Sequence, residues 1–548
     1  MDRLAPRPTD RASSTPSSTS VGRNVPLVLT GVVTALLLIP IWTVVVPPLN
    51  DYPNHLARTY IFAHLHENPF FQRMFELKFV VVPNLAIDII ATALQRIVPV
   101  YDAGRIFLTL VLVLWIVGPV LLHQALYKRL SLWPLAAGFV AYNACFQWGF
   151  ANYLFSTGLA FVVLAAWIKS EQLRPTTRLA IFSLLATALF LSHLLGLAVY
   201  GLCVFGYECR SLPALFRKPT SAWIQQWLPA AGQFVVPALL FVFVSPSGRH
   251  FSGAALADLE IHITFLSRFI YSLRSPTWME LGIVDYAAFA FLGAVIALGF
   301  LTRQLVVHRA FVPVLICVGI PTAALLFFRY SFDDLLLYVR LPPIFAVLLI
   351  AGTSWRTERF PKLLAATVGI GALLFVARLG FMTDRWLYYD HQYAEFRQAL
   401  ASVPRGSAVF EVMVHEPVMR PPRLHGNPEY PYEFMTELAT IERSAFSALL
   451  FNFHELEELR MTPAYRPISA GEQDPLEWEQ LASHAAAGGP AAHFQDGWPA
   501  HFDYVVAIDP AGRDDSLAKW LTPVHRGSFF TLFRVVKPGE IPAKGSGS

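Results

Sequence analysis

The sequence predicts a mainly α-helical, polytopic membrane protein: a bundle of about eleven spans followed by a small external C-terminal α/β domain. Three observations predict it. Hydrophobic residues make up 55% of the 548 residues and charged residues 15%, with a mean hydropathy of +0.47, more apolar surface than one water-soluble core can hide. Apolar runs of span length recur between residues 26 and 381. From about residue 384 the composition becomes that of a soluble domain, with strand-like runs at 408–414, 504–508 and 529–536.

Residues 1–25, rich in Ser, Thr, Pro and Arg, form a disordered cytoplasmic tail. The run 26–48 is longer than a signal-peptide core and lacks a small-residue cleavage site, so it reads as a retained first span. Arg3, Arg7, Arg11 and Arg23 place its N-terminal side in the cytoplasm. A long external loop, 49–103, then precedes a span at 104–126 that returns to Lys128 and Arg129. Within that loop the segments 54–66 and 83–97 are amphipathic and suit the membrane interface.

Two hairpins follow, 133–168 and 179–208, each too long for one span. Their tips, around Gln147–Tyr153 and Ser192–His193, contain no Lys or Arg, whereas Lys169, Arg174, Arg178, Arg210, Arg217 and Lys218 lie between and after them. The tips therefore face outward. Spans at 225–245, 283–301, 310–328, 340–355 and 363–381 complete the membrane module, 26–383, and leave the region 384–544 external. The stretch 485–498 reads as a loop, and residues 545–548, Gly-Ser-Gly-Ser, as a cloning remnant.

Composition also excludes classes of function. With 42 basic against 38 acidic residues there is no charge excess of the kind a nucleic-acid partner requires. Cys145, Cys203, Cys209 and Cys317 lie in or beside apolar segments without metal-ligand spacing and read as small core residues.

The chemistry concentrates directly after the first span, in Asn50-Asp51-Tyr52-Pro53-Asn54-His55-Leu56-Ala57-Arg58. If helical, this segment sets Asp51 and His55 four apart on one face. The plain alternative for Asp51 is a helix N-cap. Its company argues for more: Asp51, His55, Asp88, His193 and Arg340 all fall at the same external level of the bilayer, where ionisable groups are costly unless paired or used. Each also has a structural reading. His193 is then a hydrogen-bonded core residue, Asp88 faces headgroup water, and Arg340 snorkels to the interface. Arg58, Glu76, Lys78 and Arg96 form a solvated face. Arg249, His250, Arg268 and Arg274 make a basic run suited to a phosphate or to lipid headgroups, and Trp148 and Asn152 on the first tip are candidate substrate contacts. His415, Glu416, His425 and Glu429 are too irregularly spaced to support a metal site.

The acidic motif after the first helix resembles that of the GT-C superfamily of membrane glycosyltransferases. The long loop of interfacial segments, the short hairpins, the Ser192-His193-Leu194 tip, the Arg340-Leu341-Pro342-Pro343 entry to a late span and the external C-terminal domain resemble it too. The resemblance implies an inverting transfer of sugar from a polyprenyl-phosphate donor to a glycan, lipid or protein acceptor. The reaction would run on the periplasmic face of a bacterial inner membrane. Asp51 would act as general base, with His55 and Asp88 as further catalytic residues. Arg340, with Arg249 or Arg274, would bind the lipid phosphate, and His193, Trp148 and Asn152 would contact substrate. A divalent cation, Mn or Mg, is an implied possibility, with Asp51, His55 and His193 as candidate ligands. One departure stands out: the tip 146–153 has no acidic residue where several members carry a second carboxylate, so that either Asp88 fills that place or the site works with one carboxylate. The competing class is a transporter or flippase, which needs midplane polar sites and commonly internal repeats.

Overall fold

The computed structural model describes residues 20–78, 80–245, 265–325, 336–356, 361–413, 431–451, 458–471, 473, 476–485, 493–508 and 517–540. Arg249 and His250 of the basic run, and His415, Glu416, His425 and Glu429, lie outside the described residues, as do residues 486–492 of the stretch 485–498.

The first span is α1 (Ser20–Thr43). The external loop holds α2 (Tyr52–His64), α3 (Pro69–Met74), the short strand β1 (Phe75–Leu77) and α4 (Ala86–Leu94). Pro53 and Pro69 both sit in first turns, where a missing N–H costs nothing. Nine residues of α2, from Tyr52 to Ile61, are buried. The segment expected at the interface is instead wedged between bundle and external domain.

The second span is α5 (Val100–Tyr127). Between it and α8 (Ala151–Lys169) the first hairpin limb is broken into a 3-10 turn (Trp133–Ala137), α6 (Gly138–Ala141) and α7 (Ala144–Gln147). Such a break frees carbonyls that a bilayer cannot satisfy. Arg378 satisfies them, donating to the carbonyls of Phe139 at 3.1 Å, Tyr142 at 2.9 Å and Thr277 at 2.6 Å while pairing with Asp285 at 3.2 Å.

The second hairpin is two helices, α9 (Pro175–Ser192) and α10 (Leu194–Cys209), parted by His193 in an extended conformation. The short α11 (Leu212–Leu215) leads to α12 (Thr220–Gly232) and α13 (Val235–Leu239), which with a π-helical turn makes a span bent by 44°. Then come α14 (Phe265–Arg274), α15 (Ile283–Leu301), α16 (Val312–Ala324) and α17 (Leu337–Gly352). Two three-residue strands, β2 (Leu305–Val307) and β3 (Thr353–Trp355), pair antiparallel. Among the described residues six helices are long and apolar enough to cross a membrane, seven if the bent pair is one span, and three shorter apolar helices accompany them. The expected runs coincide with helices, but the broken limb and the short helices leave the count of eleven unconfirmed.

The last helix, α18 (Pro361–Ala399), runs 39 residues without interruption. It is much longer than the span expected at 363–381, and residue 384 lies in its interior. The helix therefore joins membrane and external parts as one rod. Beyond it β4 (Ala408–Met413), β5 (Phe446–Ser447), β7 (Tyr504–Ile508), β8 (Leu521–Arg526) and β9 (Phe530–Val535) form a sheet in the order β5-β4-β7-β9-β8. β4 pairs parallel with β5 and β7; β9 pairs antiparallel with β7 and β8. The three strands read from sequence are β4, β7 and β9. A further strand, β6 (Leu459–Met461), pairs with β1 in the external loop, and α19 (Glu437–Arg443) packs against α2.

Candidate functional site

The polar motif after α1 divides into two faces because helical neighbours recur every four residues. Asn50, Asn54 and Arg58 form one. The Asn54 amide donates to the Leu449 carbonyl at 2.9 Å and accepts from the Phe451 N–H at 2.8 Å, and Arg58 donates to the Phe451 carbonyl at 3.0 Å. The Asn50 amide donates to Glu433 Oε2 at 3.1 Å. This face docks the external domain.

Asp51 and His55 form the other face, turned to the tip between α7 and α8. The Asn50 and Asp51 N–H groups each donate at 3.1 Å, to the carbonyls of Gln147 and Trp148. Asp51 occupies the N-cap position of α2, but its side chain makes no capping hydrogen bond. The carboxyl is left for another use. Gly149 makes the approach possible: its φ is +80°, and a Cβ there would lie 2.9 Å from the Asp51 nitrogen. The His55 imidazole lies against the Gly149 backbone, on the same tip.

Arg340 faces Asp51 from the first turns of α17. Its guanidinium lies 4.2 Å from the Phe150 ring centroid and 5.4 Å from that of Tyr153, whose hydroxyl donates to the Arg340 carbonyl at 2.5 Å. Among the described residues its Nε has no hydrogen-bond partner. His193 stands against Tyr153, ring centroids 5.7 Å apart, and accepts the Leu195 N–H through Nδ1 at 3.1 Å. That bond caps α10 and leaves Nε2 to hold the ring proton. Asp51, His193 and Arg340 are each partly exposed.

Electrostatics sharpen the picture. Burial, reinforced by the Glu433 carboxylate and opposed by Asn50 and Arg340, pushes the Asp51 carboxyl up to about 8. Burial lowers His55 to about 4, Asp88 opposing and Arg58 adding to the effect, so its imidazole is neutral. The carboxylate acting on Asp51 is thus Glu433, from the external domain.

Asp88 lies elsewhere. It forms a buried ion pair with Arg58 at 3.2 Å, both side chains about 5% exposed, on the side of His55 away from Asp51. Arg58 was expected on a solvated face and is instead interior, because α2 is covered by α4 and the external domain. Asn152 uses both ends of its amide to fasten the loop before α4: Oδ1 accepts from Ile87 N–H at 2.7 Å and Nδ2 donates to the Asn84 carbonyl at 2.8 Å. Trp148 is buried, its ring 5.3 Å from Phe150 and its carbonyl holding Asp51. Arg274 lies 4.3 Å from the Tyr271 ring and 4.1 Å from Trp278, on a helix that packs against Tyr338, two residues before Arg340.

The metal candidates do not assemble. Among the described residues no three His, Cys, Asp or Glu side chains lie together as a metal-ligand group, since His193 is turned to its cap and His55 to Gly149.

No family model matches the sequence, and no curated protein matches it. Solved structures do. The crystal structure of ArnT from Cupriavidus metallidurans bound to undecaprenyl phosphate has a TM-score of 0.55 at 12% identity, covering 94% of this chain and 98% of that one. The apo state of the same protein has a TM-score of 0.51 at 11% identity, over 94% and 99%. The chain has the ArnT fold. The fold class expected from the sequence, a membrane helix bundle with a small C-terminal sheet domain, is therefore the one found. Within this fold Arg340 is close enough to act electrostatically on both Asp51 and His193, and His55 lies one turn along α2 from Asp51. Glu433 escaped the sequence reading because nothing local marks it.

Proposed function

We propose that this protein is an inverting, polyprenyl-phosphate-dependent glycosyltransferase of a bacterial inner membrane, working on the periplasmic side. The observation that carries this is the approach of Asp51, whose side chain makes no capping bond, to the Arg340 guanidinium, whose Nε has no hydrogen-bond partner among the described residues, in a chain with the ArnT fold.

The acceptor is a hydroxyl of a glycan, lipid or protein. Asp51 removes its proton as the oxygen attacks the anomeric carbon from the face opposite the leaving group. The bond from that carbon to the phosphate oxygen breaks, the electron pair leaves with the polyprenyl phosphate, and the stereocentre inverts. Charge grows on the leaving phosphate, where the Arg340 guanidinium offers a fork of donors held by Phe150 and Tyr153. His55, neutral and set against the Gly149 backbone, supports the tip beside Asp51. Undecaprenyl phosphate, the lipid bound by ArnT, is the chemical class of carrier proposed here.

The test is sugar transfer in proteoliposomes from radiolabelled polyprenyl-phosphate sugars to endogenous acceptor extracts. Asp51→Asn is expected to abolish transfer while the protein remains folded. Undiminished transfer by Asp51→Asn, or movement of the labelled lipid across the bilayer without transfer, overturns the reading.

A further inference from the structure

The Asn50 side chain is only 3% exposed, and its Nδ2 is shared between two carboxyls: Glu433 Oε2 at 3.1 Å and Asp51 Oδ1 at 3.3 Å. An amide nitrogen carries two hydrogens, one for each acceptor. The reversed amide would set its oxygen against both carboxyls, so chemistry dictates this orientation. Glu433 arrives from 383 residues away along the chain, on the segment leading into α19. It is held there by the contacts of Asn54 and Arg58 with residues 449 and 451.

We propose that Glu433 is the second carboxyl of the site and a positioning residue for Asp51, clasped to it through the shared Asn50 amide. The inference rests on the reading of Asp51 as the base. It also accounts for the tip 146–153 having no acidic residue: the external domain supplies the carboxylate that the tip lacks. The groups acting on Asp51 are few. His55 lies one turn along α2, Glu433 comes from the external domain, Arg340 from α17, and the tip presents backbone. Glu433 makes Asp51 more basic and Arg340 makes it less so. A lipid phosphate seated on Arg340 cancels the opposing charge, so the base is strongest once donor is bound. The external domain is then part of the active site, and its docking sets how basic Asp51 is.

The experiment uses the full-length protein in nanodiscs and needs no substrate. Dicyclohexylcarbodiimide labels buried carboxyls in their protonated form, and peptide mass spectrometry reads the Asp51 adduct against pH. The wild-type midpoint is expected near 8. Glu433→Gln, close in shape, should move it down by on the order of one pH unit. Glu433→Asp should leave it nearly in place. Asn50→Ala removes a hydrogen bond that favours the ionised carboxyl, so it should move the midpoint up. Opposite displacements are not what general loosening of the fold produces. An unmoved midpoint in folded Glu433→Gln, or displacement of both variants in one direction, overturns the proposal. The Asp51→Asn transfer assay judges the base reading separately: loss of transfer there with an unmoved Glu433→Gln midpoint sinks this inference alone.

Discussion

Gly149→Ala is the sharpest probe of whether the tip aims Asp51. The glycine has a φ of +80°, and an added Cβ would lie 2.9 Å from the Asp51 nitrogen, 3.1 Å from the Tyr52 nitrogen and 3.2 Å from the Asp51 Cβ. Ordinary contact begins at 3.4 Å, so tip and motif must separate by about 0.5 Å. Both sides are backbone, which cannot yield as a flexible side chain would. The left-handed conformation adds about 1–2 kcal/mol for a residue with a Cβ. Parting the chains stretches the Asp51 N–H bond to the Trp148 carbonyl, worth about 1 kcal/mol. A base displaced by a fraction of an ångström to an ångström is expected to lose roughly a hundredfold in rate. The assay is initial-rate transfer in proteoliposomes, with thermal unfolding followed in parallel. The control is Gly293→Ala, where a Cβ meets nothing within 4 Å and a helix is slightly favoured. Near-normal transfer by a folded Gly149→Ala would refute the claim that the tip positions Asp51.

Further outcomes follow from the same geometry. Transfer by the wild type should rise with pH through about 8, because Asp51 must be ionised to act and its protonated form prevails below that value; a rate already level from pH 6 to 8 contradicts this. Arg340→Gln should weaken binding of polyprenyl phosphate roughly tenfold to a hundredfold, measured by native mass spectrometry, and Arg340→Lys should restore only part of it because a point charge replaces the fork. Asp88→Asn breaks the buried ion pair with Arg58 and should cost about 3 kcal/mol of stability, read as a lower thermal midpoint, while Asp88→Asn with Arg58→Met should recover part of it. Arg378→Met should lower the thermal midpoint further than a typical surface change, since four partners around the broken limb lose their donor.

How much of the site was legible in the sequence depends on how local the signal was. Asp51 and His55 could be read as one face because helical periodicity relates residues four apart. That Asn50, Asn54 and Arg58 formed the opposite, docking face could not, since their partners Glu433, Leu449 and Phe451 lie almost four hundred residues away. Arg58 and Asp88 looked like surface charge because pairing is invisible until the elements pack. Arg378 looked like one more charge in a long helix, though it satisfies the carbonyls of a limb broken elsewhere in the chain.

By itself the sequence determined the membrane class, the positions of the apolar runs, the helix break at His193 and the three main strands of the external domain. Hydropathy, turn chemistry and period are properties of neighbouring residues, and a bilayer enforces them strictly. Only the tertiary structure decided that the first hairpin limb is broken, that α2 is interior, that the last helix is a rod joining bundle to domain, and that Glu433 stands beside Asp51. Those outcomes turn on desolvated polar groups finding distant partners, and that accounting closes only when the whole chain is folded.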